Sequence, residues 1–189
     1  MPIPGIVASG ISGHLTAPSS FYSIATVTAA GGETSLSFTS IPGTYKSLQI
    51  RGIYRNGAAV AGGAELDMRF NSDSTSGHYW YHYLYGNGTA AGAAGGSYSA
   101  VALPYFGSSN SNTAGIFGVG IIDIIDYAST AKYKTVRSMQ GVDANSTSTS
   151  YQIDLSSGMW NSTSAITTIT LIPSTSFVAG NTFALYGIN

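Results

Sequence analysis

The stretch ELDMRFNSDSTSGHYWYHYLYGNG, residues 65–88, decides the fold. Across residues 65–71 Leu66, Met68 and Phe70 alternate with Glu65, Asp67, Arg69 and Asn71. Successive side chains of a strand point to opposite faces, so this is the pattern of a half-buried strand. Residues 71–77 are Asn, Ser, Asp, Thr and Gly, whose short polar side chains bond their own backbone in turns, and the chain is expected to reverse there. Residues 78–85 alternate again, with Tyr79, Tyr81, Tyr83 and Tyr85 on one face and His78, Trp80, His82 and Leu84 on the other. The expectation is a long hairpin closed by Asn87 and Gly88.

Working outward, similar strand signals recur at 22–29, 34–40, 45–55, 97–103, 114–125, 132–142, 150–155, 165–172 and 182–188, separated by Gly, Pro, Asn and Ser. The segment 34–40 is expected to partner 22–29 across Gly31 and Gly32, and 45–55 to point Leu48, Ile50 and Ile53 inward. Residues 86–96 read as a Gly/Ala-rich loop. Residues 114–125 are almost uniformly apolar, the mark of a central strand covered on both faces. About ten or eleven strands without a helix predict an all-β fold, a jelly-roll-like antiparallel β-sandwich over residues 21–189.

Residues 1–20 differ. Pro2, Pro4 and Pro18 with Gly5, Gly10 and Gly13 exclude a regular helix or central strand, yet Ile3, Ile6, Val7, Ile11 and Leu15 are apolar. Disordered tails are poorer in such residues, so this is expected to be a short extended arm that either docks on a partner or crosses its own domain. It lacks the basic region and continuous apolar core of a signal peptide, and no apolar run approaches the roughly 18 residues of a membrane helix.

Only 8 % of the 189 residues are charged and the net charge is −1. Such a chain has no basic field for nucleic acid and no polybasic patch for an anionic membrane. Ser and Thr make up about a quarter of it, and a polar but weakly charged surface tolerates close packing against another protein. With no Cys there is neither a disulfide framework nor a thiolate metal site.

Motifs for chemistry are few. His78 and His82 have the spacing of a zinc pair on a helix, but on a strand they stand about 13 Å apart, so two amphipathic side chains on a sheet face are expected. The run from Asn71 to Gly77 resembles a calcium loop but has Ser76 and His82 where that loop needs Gly and a bidentate acid, so an Asx-rich turn is expected. The same objection meets Asp143 and Asn145. Asp123 and Asp126 fall on opposite faces of a strand, leaving Asp126 to cap the following turn or pair with Lys132 or Lys134. Ser12 in SGISG lacks the strand-to-helix setting of a nucleophile elbow. No acid pair of the separation glycoside hydrolysis needs, about 5 to 9.5 Å, can be nominated. Neither enzyme activity nor a cofactor is expected. The concentration of tyrosine at Tyr79, Tyr81, Tyr83 and Tyr85 is the one feature that suggests a contact surface. Rings that fill the sandwich or pack against neighbouring copies are preferred over a glycan platform.

Four blocks, FTSIPGTYKSLQIRG (38–52), MRFNSDSTSGHYWYHYLYGNG (68–88), IDYASTAKYKTVRSMQG (125–141) and GMWNSTSAITTITLIPSTSFVAGNTFALYGI (158–188), together resemble a family of small virion proteins of tailed bacteriophages. The resemblance implies a tail-fibre, receptor-binding or capsid-decorating role. Because only about 20 residues precede the first strand, without a fibre's shaft, the expectation is a decoration (cement) protein on the outer surface of the phage head. The implied partners are the major capsid protein of the same virion, gripped through Ile3, Ile6, Val7, Ile11 and Leu15, and further copies of the chain, as a trimer or alternatively a dimer. The alternative is a tail-fibre or tail-tip module that binds host-surface glycan.

Overall fold

The alternation becomes twelve strands in the computed structural model, which describes residues 20–59, 63–144 and 151–189. In chain order they are β1 Phe21–Thr28, β2 Leu36–Phe38, β3 Ser47–Tyr54, β4 Ala64–Phe70, β5 Tyr79–Gly86, β6 Ala91–Tyr98, β7 Val101–Gly107, β8 Gly118–Ile125, β9 Lys134–Asp143, β10 Tyr151–Trp160, β11 Ile169–Pro173 and β12 Thr182–Ile188. They form an eight-stranded sheet, ordered β1-β12-β3-β8-β9-β10-β5-β6, and a four-stranded sheet, ordered β2-β11-β4-β7. All neighbours within the sheets are antiparallel, and the described residues contain no helix. The arm residues Ile3, Ile6, Val7, Ile11 and Leu15 lie outside the described residues, as do Ser12 and Asn145.

Two aromatic clusters join the sheets. Tyr54, Phe106, Phe177 and Phe183 meet with ring centroids 5.7–6.3 Å apart. The inward position beside them on β3 is Gly52, where a Cβ would come within 2.2 Å of the Phe183 ring. That space is why alternation puts Gly52 inside and Ile53, 41 % exposed, outside, against the expectation that Ile53 points inward. The second cluster is Phe70, Tyr79 and Trp160, at 5.6–6.3 Å. The Tyr79 hydroxyl accepts from the Phe70 amide and donates to the Asp73 carbonyl, both at 3.0 Å, so this core phenol is satisfied.

Two expected pairings and one expected loop differ. β4 and β5 do not form a hairpin: β4 belongs to the small sheet between β11 and β7, and β5 to the large sheet between β10 and β6. At Asn71 and Ser72 the backbone turns left-handed, with φ of 50° and 60°, and carries the chain from one layer to the other. The Asn71 side chain holds the crossing, donating to the Ala165 carbonyl at 2.8 Å and accepting from the Thr167 and Thr168 amides at 2.9 and 3.1 Å. β2 likewise leaves β1 and pairs with β11. The Gly/Ala-rich stretch is the strand β6, not a loop, and Asn87-Gly88 turns β5 into it. Gly92 lies under the Tyr85 phenol, where a Cβ would come within 2.6 Å of the hydroxyl, so small residues here make room for the tyrosines of the neighbouring strand.

Polar side chains fasten the loops. Lys134 is fully buried, and its Nζ donates to the carbonyls of Ser129 and Lys132 at 2.6 and 2.7 Å and of Thr163 at 3.2 Å. Lys132 takes the expected ion pair with Asp126, at 3.0 Å. The buried Arg55 guanidinium donates to the carbonyls of Asn112, Thr113 and Ile116, each at 2.9 Å. Asp73 is the hub of the crossing after β4. Its Oδ1 accepts from the Thr75 amide at 2.9 Å, forming an Asx turn as the sequence suggests, and its Oδ2 meets Trp160 Nε1 at 2.8 Å and His78 Nδ1 at 2.9 Å. Burial acts to raise the Asp73 carboxyl, but the hydrogen bonds from Trp160, His78 and Thr75 outweigh it and hold it well below the usual carboxylate range. Such a group contributes stability that is complete above its unfolded value and is lost as pH falls through the folded one. Asp73→Ala should therefore lower the unfolding free energy at pH 7 by about 2–3 kcal/mol, because it strips a charged acceptor from a largely buried indole N–H. Asp73→Asn should cost less, since its amide oxygen can still accept. Urea titration of the three proteins checks this, and an Ala variant as stable as the parent would remove Asp73 from the account of the crossing.

Candidate functional site

Alternation assigns β9 and β10 an unusual pair of faces. On the inner face, towards β7, lie Ser138, Gln140, Gln152, Asp154 and Ser156, all buried. On the outer face lie Met139, Ile153 and Leu155, all more than half exposed. The central part of the large sheet is thus polar inside and apolar outside.

The outer apolar residues form rows across the strands. Ile121 of β8 stands opposite Met139 of β9, which stands opposite Leu155 of β10, which stands opposite Leu84 of β5. A second row runs from Ile53 through Val119, Gly141 and Ile153 to Gly86. Val119, Met139, Ile153, Leu155 and Leu84 are each 51–60 % exposed. Side chains fill every place of the first row, making a ridge, while the two glycines leave a groove of about 680 Å³ along the second, lined by Val119, Ile121, Met139 and Ile153. A polar row follows the ridge on its other side: Asp123 accepts from Gln49 at 2.8 Å and pairs with Arg137 at 3.1 Å. β8 is central, as its composition suggests, but among the described residues only its inner face is covered. Ile122 and Ile124 are fully buried, while Val119, Ile121 and Ile125 are exposed.

Under this face the polar layer is incompletely bonded. Gln140 Nε2 donates to the Pro104 carbonyl at 3.1 Å and to Ser156 Oγ at 3.0 Å, and Gln152 Nε2 donates to Asp154 Oδ1 at 2.9 Å. Gln140 Oε1, Ser138 Oγ and Asp154 Oδ2 are buried without a hydrogen-bond partner. Gln140 and Asp154 are direct cross-strand partners, so a protonated Asp154 is placed to donate to the Gln140 oxygen. Burial pushes the Asp154 carboxyl up to about 6, the Gln152 hydrogen bond opposing it.

The tyrosines of β5 share the inner side. Tyr79 is fully buried and is not part of any surface, because its ring completes the core cluster with Phe70 and Trp160. Tyr81, Tyr83 and Tyr85 are half-buried and stack in a ladder, with centroids 6.3 and 6.0 Å apart. Burial and then the charges of Glu65 and Asp67 raise the Tyr81 phenol, so that acid pair is within electrostatic reach of the first ring of the ladder. Burial, followed by the charge of Glu65 and a hydrogen bond with it, holds Asp67 well above the usual carboxylate range, Arg69 opposing. Sequence reasoning passed over this pair because both residues read as ordinary outward positions of β4. His78 bonds Asp73 while His82 stands on the outer face of β5, so they do not converge on one site. Among the described residues no three His, Cys, Asp or Glu side chains gather to hold a metal ion. No protein-family model, curated protein or solved structure matches the chain.

The raised Asp154 carboxyl sets a direction for pH. Between about pH 4 and 6 the folded chain keeps a proton that the unfolded chain releases, so stability falls as pH rises through that window and stays lower above it, by up to about 3 kcal/mol. Asp154→Asn removes the ionisation and supplies an amide N–H for Gln140 Oε1. It should be more stable than the parent at pH 7.5 and close to it at pH 4, leaving only the slope due to Asp67 and the acid-side loss due to Asp73. Guanidinium unfolding across this range measures it, and parallel pH curves for the two proteins would refute the assignment.

Proposed function

We propose that the chain is a structural protein of a tailed-phage virion that decorates the outer shell of the head, binding and stabilising it. The observation that carries this reading is the inverted polarity of β9 and β10, which turns Met139, Ile153 and Leu155 outward while burying Gln140 and Asp154. Exposed apolar surface of this extent marks a contact with another macromolecule, and a chain with 8 % charged residues fits a subunit that spends its life packed against others. The virion setting comes from the resemblance of the four sequence blocks. The two-sheet fold is taken as jelly-roll-like. The apolar residues of the arm, Ile3, Ile6, Val7, Ile11 and Leu15, supply the grip on the major capsid protein, and the sandwich spreads over neighbouring subunits. Apolar area removed from water at roughly 25 cal/mol per Å², repeated over a symmetric shell, resists the internal pressure of packaged DNA. The role is mechanical rather than enzymatic.

One observation favours a second reading, a tail-fibre or tail-tip module that binds host-surface glycan. The half-buried ladder of Tyr81, Tyr83 and Tyr85 has its first ring within electrostatic reach of the acid pair Glu65 and Asp67, and aromatic rings with nearby carboxylates are the usual chemistry for holding a sugar. Heads assembled without the protein separate the two. Purified protein added back should bind in many copies spread over the head and raise the temperature at which heads release DNA. Deletion of residues 2–15 should leave a folded protein that no longer binds. Density confined to the tail in cryo-electron microscopy, or adsorption to host cells that free sugar competes away, would overturn the decoration reading.

A further inference from the structure

We propose that the outer face of the large sheet is the contact between two copies of this chain, packed sheet on sheet about a twofold axis. The proposal deepens the decoration reading by assigning an occupant to the exposed face that reading rests on, and it is tested on the free protein, so that its failure and the failure of head binding are distinguishable.

The size of the face fits. Eight strands at about 4.8 Å spacing and about 26 Å of strand length give a surface of about 1,000 Å², against roughly 800 Å² per partner in a stable protein interface. Its anatomy fits as well. The apolar rows Ile121-Met139-Leu155-Leu84 and Ile53-Val119-Ile153 lie side by side, a polar row with Gln49, Asp123 and Arg137 borders them, and beyond it Ile125 and Trp80 are again exposed. Large apolar side chains set beside a few paired polar groups are the mixed composition of interfaces between proteins.

The relief identifies the occupant. A twofold contact uses the same patch on both partners, so the patch must complement itself. This face carries a ridge, Ile121-Met139-Leu155-Leu84, and beside it a groove of about 680 Å³ over Gly141 and Gly86. Turned through a half circle, the ridge of one copy lies along the groove of the other, and the reverse contact forms at the same time. Charge agrees, because Arg51 and Arg137 are balanced by Asp123 and Asp143 on the outward positions of β3, β8 and β9. A neutral face gives no attraction for nucleic acid or an anionic membrane and no repulsion against its own copy. The near-uniform apolar run of β8 then has its explanation: it is the sequence of a strand covered on both faces, once by its own small sheet and once by the second copy. Packing of this kind sets two sheets about 10 Å apart with strand directions within about 30°, and of the two closed clusters expected of a shell decoration it makes the dimer rather than the trimer.

The test is the mass of the full chain in solution, measured by sedimentation equilibrium between 1 and 100 µM in the absence of phage particles, so that it can fail without touching the question of head binding. The expected mass is about 39 kDa, twice 19.5 kDa. Met139→Glu and Leu155→Lys each place a charge on the ridge at a position more than half exposed, so the monomer should keep its circular dichroism while dimer affinity falls at least 100-fold. Should one of them fail to fold, Val119→Lys in the groove takes its place. Ser37→Glu, on the exposed side of β2 in the other sheet, should leave the dimer intact. A parent that is monomeric at 100 µM, a trimer, or a dimer indifferent to the ridge and groove substitutions would each overturn the proposal.

Discussion

The structure depends on one constraint, the two-residue period of β9 and β10 locked in register. Because Gln140 faces Asp154 and Met139 faces Leu155, polar and apolar side chains cannot share a face, and whichever set goes in sends the other out. A slip of one residue would bury Met139, Ile153 and Leu155. It would also pull Trp160 from its stack with Tyr79 and its bond to Asp73, and Lys134 from the loop carbonyls it closes. The anchors at the ends of the strands thus decide the polarity of their middles. β7 then supplies a lid, with the Pro104 carbonyl accepting from Gln140, that makes a polar inner layer tolerable.

Much of the fold was legible because alternation reports faces directly. Leu66, Met68 and Phe70 are buried as their spacing requires, and β12 covers the residues expected of it, 182–188. What alternation leaves open is the sheet to which a strand belongs. The polar run after β4 predicts that the chain reverses, and it does. Yet a reversal within one sheet and a crossing between layers use the same Asn, Ser, Asp and Gly, and only distant partners such as Ala165, Thr167 and Trp160 choose between them. β6 was hidden for another reason. Its Gly and Ala residues have weak strand preference and become a strand through pairing with β5 and the need to fit under Tyr85.

The site was legible only in fragments. The apolar run of β8 announced a strand with two dry faces, and the structure shows one of them dry and the other open. The tyrosine row was visible as a row, but its first member, Tyr79, belongs to the core. The inversion of β9 and β10 left no trace in the sequence, because a period of two states which residues are alike without stating which side is in. Glu65 and Asp67 were equally silent, since only the position of Tyr81 brings them to an aromatic ladder.

Low charge and an apolar outer face combine to a single consequence. Soluble monomers keep exposed apolar patches to a few hundred Å² and rely on net charge to stay apart. This chain has a net charge of −1 and places at least five large apolar side chains in adjoining rows on one face. A separated copy would therefore associate through that face. The edges add to the tendency: among the described residues β1 and β6 end the large sheet, and β6, made of Gly, Ala, Ser and Tyr, carries none of the charges or prolines by which edge strands resist further pairing. Covering the outer face early, with a partner whose relief matches, removes the larger hazard and leaves only the narrow edges to be managed. On the proposed contact, folding and assembly are successive uses of one sheet, its inner side closed by the chain's own second layer and its outer side by a second copy.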